Sequence, residues 1–149
     1  MARNISVKVP VASLIQSIED RIAEIDQAII DYPRLRDEYE VANEAYKSQV
    51  ASFVSDYLSK NLDKIGYDFN DIIRISRAYN GKFELTFDVE SIEGFPEKPV
   101  EPSRPNQNEW FGREHATRKS LLEKNLKILK MTSQEEVNAS TYGAIMEIL

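Results

Sequence analysis

From Val11 to Asp63 apolar residues recur at the spacing of a helix face, and the stretch reads as two long helices folded back on each other, around which the rest of the chain is organised. Val11, Ile15, Ile18, Ile22, Ile25 and Ile29 advance by alternating steps of four and three, as one helix face seen by a partner helix does. Leu14 and Ile30 widen the stripe, and Glu19, Asp20, Arg21, Glu24 and Asp26 fill the opposite side. Pro10 stands just before it, where a missing amide hydrogen costs nothing. Pro33 lacks an N–H and clashes with the turn before it, so the spacing predicts that one helix ends there and a second begins, with Asp31 or Tyr32 in the cap region. So short a connection forces antiparallel neighbours. The second stripe is Leu35, Tyr39, Ala42, Tyr46, Val50, Phe53 and Tyr57, joined by Val54 and Leu58. Its bulk grows toward the end, which predicts a core at Val50 to Leu62 and an exposed tip at Pro33.

Around this helical hairpin (11–63) the remaining elements are shorter. Ile5, Val7 and Val9 alternate with Ser6 and Lys8, as in a strand buried on one side. Strands are predicted at Asp71 to Ala78 and Lys82 to Glu90, a β-hairpin over 71–90 with Asn80-Gly81 at its turn. A two-residue loop would set Ile73 and Ile75 beside Asp88 and Thr86. A three-residue loop, Tyr79-Asn80-Gly81, sets them beside Phe87 and Leu85, with Gly81 in the left-handed bulge position. The second register is therefore expected. Pro96, Pro99, Pro102 and Pro105 recur every three residues, which favours an extended linker over 95–108. Trp110 and Phe111 read as anchors for the last third of the chain (110–149). A helix is expected from about Gly112 to Met131, buried through Leu122, Leu126 and Leu129. Overlapping capping boxes at Thr132-Ser133-Gln134-Glu135-Glu136 suggest a fresh turn, and Ser140 or Thr141 should cap a short final helix. The expected fold class is α+β: a small, mainly antiparallel three-stranded sheet with a long antiparallel helical hairpin, either packed on that sheet or projecting from it, and a C-terminal helical segment.

With 149 residues one domain is expected, long enough to bury a real core. No apolar run approaches the roughly 20 residues that span a membrane, no signal-peptide core opens the chain, and there is no Cys. These features suit a cytoplasmic protein that makes no disulfides. Between Val11 and Asp63 eleven acidic residues against five basic ones give −6, equal to the formal charge of the whole chain. Such a segment does not invite a phosphate backbone.

No constellation carries recognisable catalysis. A nucleophile needs an orienting base, and the single His, His115, is expected on a helix surface. Asp68, Asp71, Asp88 and Glu90 lie near strand ends, where carboxylates are more often solvated than metal-binding, and no EF-hand spacing is present. The five glycines are scattered rather than gathered into a phosphate loop. No catalytic residue, metal ligand or cofactor is therefore assigned. Aromatic residues dominate binding hot spots, so Tyr39, Tyr46 and Trp110 are the candidate partner-binding residues. The alternative surface is the basic face from Arg113 to Lys130, whose six Lys or Arg against two Glu give +4. Lys119, Lys124, Lys127 and Lys130 would there contact nucleic acid, although a charged outer face is usually just solvated.

The opening Ile5-Ser6-Val7-Lys8-Val9-Pro10, the acidic helical hairpin, the Lys-rich helix with Thr132-Ser133-Gln134-Glu135-Glu136, and the Ser140-Thr141-Tyr142 ending together resemble small uncharacterised proteins encoded by tailed bacteriophages. The resemblance covers most of the chain and implies a cytoplasmic accessory protein acting on a host or viral partner. The residues themselves lead to the expectation of a non-enzymatic interaction protein, an adaptor, inhibitor or assembly factor. It would bind a protein or a second copy through the helical hairpin. A nucleic-acid-associated accessory protein is the alternative.

Overall fold

The computed structural model describes residues 7–139 and 143–149. In chain order the elements are β1 (Lys8–Pro10), α1 (Val11–Lys60), β2 (Ile65–Gly66), β3 (Ile73–Arg77), β4 (Phe83–Phe87), β5 (Asn108–Phe111), β6 (Glu114–Thr117), α2 (Arg118–Met131), β7 (Glu136–Asn138) and α3 (Gly143–Ile148). The fold is α+β. Contacts cluster into two compact units, one from Met1–Leu35 and Pro102–Leu149, the other from Arg36–Glu101.

The expected helical hairpin is replaced by one helix of 50 residues that runs through Pro33. Two magnitudes explain this. A proline inside a helix costs about 3 kcal/mol. Ending the helix and nucleating another costs on the order of 4 kcal/mol for a nucleation constant near 10⁻³, and neither Gly nor Asn is present between Ile25 and Leu35 to turn the chain. Pro33 and Ile29 are both exposed, so water can reach the Ile29 carbonyl that loses its amide partner. Pairs at helical spacing support the exposed length: Arg21–Glu24, Arg36–Glu40 at 3.1 Å, Lys47–Glu44 at 2.6 Å and Lys60–Asp56 at 2.8 Å.

The stripe at the start of α1 does find an antiparallel helix, but it is α2. Val11, Leu14, Ile18 and Ile25 are buried with Leu121, Leu122, Leu129, Val137 and Ile145 in one cluster. Lys119 reaches Asp26 near one end of this contact and Lys130 reaches Glu19 at 2.5 Å near the other, so the two helices run in opposite directions. The expected core at Val50 to Leu62 is corrected accordingly: no residue of α1 beyond Ile25 is buried. Size alone does not decide burial, because a stripe is buried only where another apolar surface meets it.

β1 does not join the sheet of the β-hairpin. It pairs antiparallel with β7, with Val9 opposite Val137, and the Val11 amide donates to the Glu135 carbonyl at 2.8 Å. The fresh helical turn expected at 132–136 is thus partly strand. The expected caps at Ser140 and Thr141, and the Ile5 end of the first strand, lie outside the described residues.

In the second unit the sheet order is β2-β3-β4, with β2 parallel to β3 and β3 antiparallel to β4. Ile73 pairs with Phe87 and Ile75 with Leu85. The Ala78 amide donates to the Lys82 carbonyl at 2.7 Å, which encloses the three residues Tyr79-Asn80-Gly81, and Gly81 has φ +78°. Register and bulge are those expected, because the alternative would have turned Ile73 to the polar face. Ile73 and Ile92 are the buried apolar residues of this unit. Gly66 is required by close approach: a Cβ there would lie 1.9 Å from Asp71 Oδ2, an oxygen that accepts the Asp68 amide at 2.8 Å.

Candidate interaction surfaces

Three surfaces hold the residues singled out from sequence. The first is the outer part of α1. Tyr39 and Tyr46 are seven residues apart on one helical face and half-buried; Leu35 and Val41 are 40% and 72% exposed. Farther along, Phe53 stacks on Tyr57 with ring centres 6.1 Å apart and meets Phe95 edge-on at 5.4 Å. The Pro-rich segment therefore starts docked on the helix through Phe95. No regular secondary structure is assigned between Phe95 and Arg104.

The second surface surrounds Trp110. The helix expected from Gly112 is corrected, since it begins only at Arg118 and residues 108–117 form a hairpin instead. Phe111 pairs with Glu114 across the two-residue loop Gly112-Arg113. Gly112 has φ +63°, which suits the first central position of a tight hairpin turn. Thr117 ends the strand and caps α2, its hydroxyl accepting the Ser120 amide. Alternation along the strand separates the two expected anchors. Phe111 packs against the buried cluster. Trp110 faces the other way, 72% exposed, with the His115 ring at 4.9 Å. Trp110 does not anchor the chain internally, and His115 sits on a strand rather than a helix. The overlooked signal was the alternation of Trp110, Phe111, Glu114 and His115 around a glycine.

The third surface is the basic face of α2, and it is largely spent on internal pairing. Lys119 contacts Asp26 and lies 3.7 Å from Glu123. Lys124 lies 3.1 Å from Glu114, and Lys130 holds Glu19. Lys127 is exposed, and no ion pair to it is found among the described residues. The hydrogen bond from Lys119 to Asp26 raises the lysine pKa above its ordinary value, against a smaller opposing effect of desolvation. A cation with a raised folded-state pKa stabilises the fold below its unfolded pKa, and that contribution is lost as pH rises through the folded value. Lys119→Met should therefore be less stable than the parent at neutral pH. The gap should close at pH above the folded-state lysine pKa, read from denaturant midpoints at both pH values.

Two of the rim carboxylates of the second unit serve local turns. Asp71 accepts the Asp68 amide and Asp88 accepts the Ser91 hydroxyl. Among the described residues no group of three or more His, Asp or Glu is placed to hold a metal ion, and no helix is long and apolar enough to cross a membrane. In the first unit a shallow cleft brings Arg21 and Arg118 near Glu24 and Glu109, a mixed charge set that favours neither anions nor cations.

No protein-family model, curated protein or solved structure matches this chain.

Proposed function

We propose that the protein is a non-enzymatic interaction protein, an adaptor, inhibitor or assembly factor, that docks a protein partner on the outer part of α1. One observation carries this reading. Beyond Ile25 the helix keeps an apolar stripe at helical spacing, through Leu35, Tyr39, Tyr46 and Val50, yet none of these residues is buried. A helix that lays such a face into a partner groove uses anchors at this spacing, and tyrosines supply large contact area at low entropic cost. The bacteriophage resemblance supplies the setting, an accessory protein acting on a host or viral partner inside the cell. The nucleic-acid reading stands behind it, because three of its four lysines already hold carboxylates.

The test is capture of the partner by the intact protein, with nuclease present, compared with the Tyr39→Ala, Tyr46→Ala double variant. Loss of two aromatic anchors should weaken binding by roughly 30-fold or more. Alanine is the better helix former, so an unchanged circular dichroism spectrum is expected beside that loss. Equal capture by both proteins would remove the α1 surface from consideration. Disappearance of bound material on nuclease treatment would move the α2 lysines to the front.

A further inference from the structure

We infer that β4 is a self-pairing edge, through which two copies of this chain join their sheets across a two-fold axis. The inference concerns the sheet of the second unit and does not depend on the α1 surface. β4 is an edge strand of the order β2-β3-β4. Ala78 donates to Lys82 and Asp88 donates to Ile72, so Lys82, Glu84, Thr86 and Asp88 direct their backbone groups at β3. By alternation Phe83, Leu85 and Phe87 direct theirs outward, toward the open edge. Their side chains share the apolar face, where Phe83 is 71% and Leu85 46% exposed and Tyr67 and Ile75 complete a shallow hollow. An exposed edge with apolar side chains is a template for another strand.

Charge complementarity selects a second copy as that strand. In an antiparallel pair centred on Leu85, Phe83 lies opposite the other copy's Phe87 and Leu85 opposite its own counterpart, as hydrogen-bonded pairs. On the polar face Lys82 then lies opposite Asp88, twice by symmetry, and Glu84 opposite Thr86. These are the non-hydrogen-bonded positions, where side chains approach most closely. Moving the centre to Glu84 would set two glutamates against each other. Moving it to Thr86 would set Glu84 against Asp88. The centred register alone overlaps the whole strand and pairs opposite charges. The far edge of the sheet, β2, has only the two residues Ile65–Gly66, too short to extend it. The assembly therefore closes at two copies.

Sedimentation velocity of the full chain over a range from nanomolar to submillimolar concentration should show a reversible monomer–dimer equilibrium. Leu85→Pro removes an amide that bonds nothing within the sheet and should leave a monomer. Lys82→Glu and Asp88→Lys should each weaken the dimer at least about tenfold, since each sets like charges opposite one another. Mixing those two variants restores opposite charges at both sites and should recover the dimer. A monomer at every concentration would overturn the inference. So would a dimer indifferent to the charge variants, or two weakened variants that fail to recover on mixing. Binding of an extended foreign peptide at this edge without self-association would likewise replace the second copy as the occupant.

Discussion

Leu122→Ala should destabilise the first unit by about 3 kcal/mol, within the range of roughly 2–5 kcal/mol seen when a buried leucine is truncated and its site cannot collapse. Leu122 is fully buried and belongs to the cluster that joins α2 to Val11, Leu14, Ile18 and Ile25 of α1. The control is Tyr46→Ala. Had α1 folded back on itself at Pro33, Tyr46 would face the Ile18 stripe and its truncation would rival that of Leu122. In the observed fold Tyr46 is only half-buried, and its loss should cost well under half as much. Chemical denaturation of both variants decides between the pairings. Equal losses would contradict the assignment of α2 as the partner of the first stripe.

Pro33→Ala should stabilise the protein, by about 2 kcal/mol. Alanine restores the amide that can bond the Ile29 carbonyl and removes the ring clash, worth roughly 3 kcal/mol in a helix interior. The unfolded chain regains freedom once the proline is gone, which takes back up to about 1 kcal/mol. Amide hydrogen exchange around residues 33–37 should slow in parallel. At the corner of a hairpin the same substitution would be neutral or harmful, because the ring would there be fixing a useful conformation. A variant less stable than the parent would therefore restore the hairpin.

These two residues also mark where the sequence could be read and where it could not. Features set within a few residues were legible. The helix starts at Val11 directly after Pro10. The three-residue loop closed by Gly81 followed from keeping Ile73 and Ile75 on the side of Phe87 and Leu85. The first stripe called for a partner helix, and α2 meets it; the antiparallel sense had been inferred from a turn at Pro33 that the helix does not make. The identity of that partner was hidden because Asp26 and Lys119 lie 93 residues apart, and spacing within one stripe carries no address for a distant partner. Pro33 supplied a nearer and wrong answer, since its local cost was weighed without the cost of nucleating a second helix. The hairpin at 108–117 was obscured by lysines and leucines downstream, which extend a helical pattern backward over Gly112. The alternation of Trp110 with Phe111 carried the exposure of Trp110, although both aromatics read as anchors. That Lys119, Lys124 and Lys130 are held by carboxylates could not be seen until their neighbours were known.

The pairing of β1 with β7 has a consequence for the order in which the molecule can form during synthesis. Val9 meets Val137, and the buried cluster takes residues from both ends of the chain. The second unit is contiguous from Arg36 to Glu101 and can complete its contacts as soon as it leaves the ribosome. The first unit cannot. Val11, Leu14, Ile18 and Ile25 emerge first and find their partners only when Leu121 to Val137 have been made. Until then these side chains are an exposed apolar surface on a growing chain, which is the state that chaperones recognise and that aggregates most readily. Within this unit, the residues made first are thus buried only after the residues made last.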